Sequence, residues 1–240
     1  MIVTRVFPGS PEPVDIDDAD SRATLLDFYR PPSPEWLRIN LISSVSGNAG
    51  GSDGTSETLT NAADRRLLGV IRELGDVVLI GAQSLRAEGY LLPRRSPLAV
   101  VTASGDMTGH GAGDSIEAGR VLVLCPQTAV DRVRETVGEA TVDIVVVADD
   151  GGSMTMVDIV DALRSRGLTS IVCEGGPSLA SQLVAAGLVD ELCVSTSPLL
   201  NGADLPVFGG RKFDDVRLEL TQLVVDDQSG IYARWAVLPA

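Results

Sequence analysis

Ile171-Val172-Cys173-Glu174-Gly175-Gly176-Pro177-Ser178-Leu179 is the stretch whose reading decides the fold. It reads as a short apolar strand, a two-glycine turn and a helix that opens on proline, with Gly187 as the C-cap. Proline suits the first helical position, because its missing N–H is one the helix leaves unpaired anyway. With Gly176 as N-cap, the amides of Ser178 and Leu179 are expected to point out of the helix end, where the macrodipole favours an anion. Glycine there lets a phosphate approach the backbone without meeting a Cβ. A plain strand–helix connection needs glycine for its turn alone, so on this stretch both readings stand.

The pattern on either side repeats the unit. Apolar strand-like runs lie at 36–45, 77–80, 98–102, 121–125, 141–147 and 192–197. Between them, Thr60 or Asn61 is expected to cap a helix with the apolar stripe Ala63, Leu67, Val70, Ile71 and Leu74. A polar helix is expected at 129–136, and a helix capped by Ser153 carries the stripe Met156, Ile159, Val160 and Leu163 before Gly167 closes it. Residues 217–225 and 231–237 form a terminal antiparallel hairpin around Asp226-Asp227-Gln228-Ser229-Gly230. Strands alternating with helices demand an α/β sandwich, mostly parallel, with that hairpin at one edge. Residues 1–35, rich in proline and acidic around Asp15 to Asp20, are expected to be an extended arm with one short helix near 23–29, and residues 36–240 one domain. The loops at 48–58 and 105–119, the latter carrying His110, are read as glycine-rich and mobile.

Composition narrows the function. Of 240 residues 44% are apolar and only 4% aromatic, so the core is aliphatic, as in sheets covered on both faces. A formal charge of -14, from 33 acidic and 19 basic residues, argues against nucleic acid or an anionic membrane as a partner. Cys125, Cys173 and Cys193 each sit in an apolar run, which reads as core packing in a reducing, cytoplasmic setting. One histidine leaves no room for a His-based zinc site or a serine-type triad. No apolar run approaches the ~20 residues of a membrane span.

Three strand ends finish in small residues: Gly81-Ala82-Gln83-Ser84, Ser104-Gly105 and Glu174-Gly175-Gly176. Ligands of open sheets bind outside the carboxyl ends of the strands, and three such ends suit a long ligand with several phosphates, such as a dinucleotide. Ordinary α/β connections favour small residues too. Arg65 and Arg66 are placed to hold a substrate phosphate, or to be a solvated face paired with Asp64. Ser44 and Ser46 end the first core strand, as substrate contacts or as turn formers. No residue pair looks like an activated nucleophile, and hydride transfer needs positioning more than covalent catalysis.

Three segments together resemble the RibD C-terminal family, the reductase domain of riboflavin biosynthesis, whose fold is that of dihydrofolate reductase. Asn40-Leu41-Ile42-Ser43-Ser44-Val45-Ser46-Gly47 is similar to its Asn-x-x-Ser-Ser-Leu-Asp-Gly. Ala63-Asp64-Arg65-Arg66 through Gly81-Ala82-Gln83-Ser84-Leu85-Arg86-Ala87-Glu88 resembles its arginine-bearing helix, strand and Gly-x-x-Thr-Val-x-x-Asp. The third is the opening stretch with Ala186-Gly187-Leu188-Val189-Asp190-Glu191-Leu192. The resemblance implies a cytoplasmic, homodimeric, NADPH-dependent reductase without the family's zinc deaminase domain. Hydride from C4 of the nicotinamide would reduce ribose C1 of a ribosylamino-pyrimidine phosphate, of the 5-amino-6-(5-phosphoribosylamino)uracil type, to the ribityl form. It assigns Gly81, Ala82, Ser84, Glu88, Ser104, Glu174, Gly175, Gly176, Pro177, Ser178 and Leu179 to the cofactor, and Asn40, Ser44, Ser46 and Arg65 to the substrate.

The sequence departs from the family pattern at Ser46, where aspartate is usual, at Asn48 and at Glu88. No arginine follows Ser104 closely, which leaves Arg86, Arg94 or Arg95 for the cofactor's 2′-phosphate. A pterin reductase and a non-catalytic NADP(H)-binding protein are the alternatives these departures keep open.

Overall fold

The run at 170–175 becomes β8 (Ser170–Gly175), and Ile171, Val172 and Cys173 are each at most 2% exposed. That is the burial expected of a strand covered on both faces. In the computed structural model, residues 1–88, 92–109, 119–138, 140–147 and 153–239 are described; His110 and the side chain of Glu88 lie outside them. Among the described residues β8 is one of eleven strands in a single sheet. The first six are β1 (Ile2–Phe7), β2 (Glu12–Asp15), β3 (Trp36–Ser44), β4 (Val77–Gly81), β5 (Leu98–Val101) and β6 (Val121–Cys125). The others are β7 (Asp143–Val146), β9 (Glu191–Ser197), β10 (Leu218–Asp226) and β11 (Ile231–Val237). Their order is β2-β1-β10-β11-β9-β3-β8-β4-β5-β6-β7; the seven from β9 to β7 run parallel and the rest pair antiparallel.

Period two along each strand sorts the core into two faces. Leu37, Ile39, Leu79, Ile171, Cys173 and Leu192 pack with α5 (Met156–Arg164) and α6 (Pro177–Ala185). On the other face Val78, Ile80, Val100 and Val123 meet α3 (Ala82–Glu88) and α4 (Val130–Thr136). Next to them Val172, Cys193, Val224 and Tyr232 meet α1 (Ser21–Tyr29) and α2 (Ala62–Glu73). Asn61 caps α2, its side chain accepting from the Asp64 amide at 2.9 Å. Cys125, Cys173 and Cys193 are buried free thiols, and burial pushes those of Cys173 and Cys193 up to about 12. Among the described residues no helix is long and apolar enough to cross a membrane.

Four local expectations change. The first 35 residues are not simply extended: β1 and β2 extend the sheet, and Val3, Val14, Ile16, Leu25, Phe28 and Tyr29 enter its core. The C-terminal hairpin therefore lies inside the sheet, with β1 covering the outer edge of β10. α5 is capped by Thr155, which forms a reciprocal capping box with Asp158, and not by Ser153. The loop after β3 is pinned at its start, with the Ala49 amide on the Leu205 carbonyl at 2.7 Å and the Val207 amide on the Gly47 carbonyl at 3.0 Å.

Tertiary contacts that sequence could not foresee tie the N-terminal segment down. Glu191, 2% exposed, sits between the guanidinium groups of Arg38 and Arg234. Arg38 also donates to the Tyr29 carbonyl at 2.7 Å, and Arg234 to the Phe28 carbonyl. Two cations thus meet the open carbonyls at the end of α1, where the helix dipole favours positive charge.

Candidate functional site

Seven parallel strands put their carboxyl ends along one side of the sheet, the usual ligand side of open α/β folds. At the end of β8, Gly175 has φ +93° and is joined to Gly176 by a cis peptide bond. Gly176 is the N-cap of α6 and Pro177 its first residue, as the sequence predicts. The Leu179 amide, however, bonds back to the Gly176 carbonyl at 3.0 Å, because the first turn is tightened. Leu179 itself is 6% exposed and packs in the core, so of the two amides assigned to an anion only that of Ser178 stays at the open end.

The second strand end is brought against the first. A Cβ on Gly176 would stand 2.5 Å from Ser84 Oγ, so the turns at Gly81-Ala82-Gln83-Ser84 and Gly175-Gly176 touch with no side chain between them. Ser104, in the third turn after β5, is exposed, and its Oγ accepts the Asp106 amide at 3.3 Å. Arg86 donates to the Asp106 carbonyl at 2.7 Å, which places it on this turn, whereas Arg95 pairs with Glu73 and Arg94 is exposed. Glu174 faces away from the turn: Arg72 grips its carboxylate with two bonds of 2.7 Å.

The residues assigned to the substrate do not share one role. Ser44, 1% exposed, and the exposed Ser46 face each other at 2.9 Å, and both bond to Asn201 Oδ1 at 3.0 Å. Asn48 joins them, donating to Asn201 Oδ1 at 3.2 Å. This cluster ties the loop after β3 to the loop after β9; its hydroxyls are engaged within the protein. Arg65 is exposed and paired with Glu57. Asn40 is the one that reaches a cavity, a small one it shares with Asp64, Ser195 and Tyr232.

That cavity adjoins a cleft of about 170 Å³ beside the ends of β3 and β9, lined by Ile42, Thr60, Asn61, Asp64, Ser195 and Tyr232 among others. It is smaller than the roughly 300–1,000 Å³ of pockets for drug-sized ligands, a size for one ring and not a whole dinucleotide. Asp64, in the first turn of α2, borders both spaces. Burial pushes its carboxyl above the ordinary range, against the opposing pull of the Thr60 and Ser195 hydroxyls and of Arg65. Thr60 Oγ1 donates to Asp64 Oδ2 at 2.7 Å. Behind the cleft, Asp226 Oδ2 takes bonds of 2.7 Å from both Tyr232 and Asn61. The loop that leaves the cleft at Leu199 returns to the first site, where a Cβ placed on Gly209 would lie 3.6 Å from the Pro177 Cβ.

Asp64, Ser195 and Tyr232 are the site residues that sequence reading misses. Ser195 and Tyr232 carry no local signal, coming from β9 and β11, strands far along the chain from β3. Asp64 stands inside a quoted motif, but one sequence cannot say which way a first-turn carboxylate turns.

Known proteins share this fold. The family model described as the RibD C-terminal domain matches residues 35–231. Riboflavin biosynthesis protein RibD of Escherichia coli is 25% identical over 189 residues, covering 70% of this chain and 50% of that protein. The chain thus spans about half the length of that relative. The 2,5-diamino-6-ribosylamino-4(3H)-pyrimidinone 5′-phosphate reductase of Methanothermobacter thermautotrophicus is 24% identical over 179 residues, covering 70% of this chain and 79% of that protein. Among solved structures, a pyrimidine reductase-like protein from Corynebacterium diphtheriae superposes with a TM-score of 0.71 at 22% identity, covering 90% of this chain and 99% of that one. At that identity the likeness establishes the fold.

Proposed function

The chain belongs to the RibD C-terminal domain family, and from that membership we propose that it is an NADPH-dependent reductase of a ribosylamino-pyrimidine phosphate. The observation that carries the reading is the contact between two glycine turns, Gly81 to Ser84 and Gly175-Gly176, with a ring-sized cleft farther along the same side of the sheet. The residues fit the cofactor. A diphosphate would lie against the Ser178 amide and the Ser84 hydroxyl, beside the point where Ser84 closes on Gly176. Ser104 and Arg86 would hold the adenosine end, and Arg86 would favour NADPH over NADH by pairing with the 2′-phosphate.

When bound, the nicotinamide supplies hydride to ribose C1, which gives the ribityl chain. The protein's own residues hold the partner in place. The cleft takes the pyrimidine, Tyr232 and Asn61 stiffen its wall through Asp226, and Arg65 is positioned to exchange Glu57 for the substrate phosphate. Residues 36–240 are the catalytic unit in this reading, with the first 35 closing its sheet. A cytoplasmic homodimer belongs to the same reading, supported by the exposed Leu200, Leu205, Phe213, Val216 and Leu218 near the C-terminal hairpin.

The test is NADPH oxidation followed at 1:1 stoichiometry with ribitylamino-pyrimidine phosphate, beside thermal unfolding with NADPH and with NADH. We expect turnover, and an NADPH stabilisation of about 2.7 kcal/mol at a hundred times its Kd. Oxidation with dihydrofolate alone, or no shift with either nucleotide, would overturn the reading.

A further inference from the structure

Two pyrimidines satisfy a reductase of this kind, and they differ at one edge. In the 2-amino-4(3H)-pyrimidinone form, which is named for the archaeal relative, the amino group on C2 and the N3–H are adjacent donors. In the uracil form C2 carries an oxygen, so N3–H is a single donor between two carbonyl acceptors. This C2–N3 edge is the far side of the ring from C6, where the ribosylamino group is attached, so it enters the cleft first.

We propose that Asp64 reads the C2–N3 edge and commits this chain to the 2-amino-4(3H)-pyrimidinone form over the uracil form. The inference rests on the reductase reading above. A carboxylate only accepts, and its two oxygens match two parallel N–H donors as they match a guanidinium. The surroundings leave that capacity available. Asp64 Oδ2 takes a hydroxyl bond from Thr60, the Ser195 hydroxyl also favours the carboxylate, and the adjacent Arg65 is turned outward to Glu57, so two hydroxyls leave acceptor positions for a base edge. Asp64 lines both the cleft and the small cavity shared with Asn40, so a ring seated in the cleft has this carboxylate on its border. A uracil would instead press its C2 oxygen on the carboxylate, two acceptors facing in a partly buried site. Sites built around such a buried hydrogen bond reject the analogue that lacks it by roughly 10⁴–10⁵ at the extreme. The opposite turns of neighbouring side chains also suit one molecule, with Asp64 inward to the base and Arg65 outward to the phosphate.

The inference fixes an order of reactions. A hydrolytic deamination, which takes in water at C2 and releases ammonia, has to act on the product of this enzyme and not on its substrate.

The test uses the two ribitylamino-pyrimidine 5′-phosphates that differ only at C2, with binding to the full chain measured by calorimetry and turnover of the matching ribosylamino compounds measured alongside. We expect the 2-amino compound to bind and turn over at least about a hundredfold better. Asp64→Asn presents a carbonyl and an amide, which match the N3–H and C2 oxygen of the uracil form but set a donor against a donor of the 2-amino form, so it should erase or invert that preference. Asp64→Ala, in which neither form has a partner, should level the two by weakening the 2-amino compound. Unfolding midpoints and NADPH binding of both variants separate these effects from misfolding. Equal or better use of the uracil compound by the wild type, or a preference that survives in both variants, overturns the inference and leaves the reductase standing. If neither compound binds or turns over, the reductase reading falls and takes the inference with it.

Discussion

Glu174 shows how a residue inside a legible motif acquires an illegible job. The Glu-Gly-Gly-Pro spacing marks the turn, but the carboxylate is 7% exposed and spends itself on Arg72, two turns along α2 from Asp64. The pair holds the helix that carries Asp64 and Arg65 to the strand that ends at Gly175. Arg72→Ala would take a two-bond cationic partner from a buried carboxylate, at a cost of up to roughly 3–5 kcal/mol. We expect unfolding in urea to show that loss, with a weaker NADPH interaction as α2 shifts; Arg72→Lys should recover part of the stability but not the two-bond geometry. Ser46 teaches the same lesson from the other side. Standing where the family has aspartate, it looks like a vacancy in the sequence, yet in the fold it bonds Ser44 and Asn201 and holds two loops together.

At the scale of elements, the hairpin turn between β10 and β11 is locked to the cap of α2. Asp226 accepts from Tyr232, from Asn61 and from the amides of Gln228 and Gly230. Burial by itself would raise this carboxyl, but those hydrogen bonds outweigh it and hold it below its ordinary value of 3.8. A depressed carboxyl stabilises the fold while ionised. The contribution is therefore complete above pH 3.8 and is lost as pH falls through the folded value. We expect Asp226→Asn to be destabilised against the wild type near neutrality, with the gap closing in acid; a gap independent of pH would show that the lock does not depend on charge. The sequence located the turn from Asp-Asp-Gln-Ser-Gly. It carried no sign that Asn61, 165 residues away, would share the aspartate.

Across the whole molecule, 33 acidic residues against 19 basic leave a net charge of -14, spread over a fold that is proposed to bind two anions. Self-repulsion of that size opposes compaction and is screened by salt. The unfolding midpoint should rise as ionic strength goes from about 10 mM to about 150 mM, where the screening length drops from roughly 30 to 8 Å. A fall would mean that ion pairs such as Arg22–Glu73 and Arg38–Glu191 outweigh the general repulsion. The architecture was largely readable at this scale because strand–helix alternation permits few topologies. The first 35 residues were not, since their strands β1 and β2 are short, Pro8 and Pro11 lie between them and Pro13 within β2, and pairing with β10 lies more than 200 residues away.

Local chemistry by itself determined the strand–turn–helix at Ile171 to Leu179, the parallel α/β class, the helix capped at Thr60 or Asn61 and the glycine turns at three strand ends. Each follows from hydrophobic period, proline and glycine geometry or capping, which act within a few residues. Only the tertiary structure decided that Gly176 meets Ser84, that Arg72 claims Glu174, that Asn201 gathers Ser44 and Ser46, and that Asp64 turns into the cleft. Those outcomes depend on where strands from distant parts of the chain are laid side by side. Hydrogen bonds and burial are settled there, between residues the sequence does not place together.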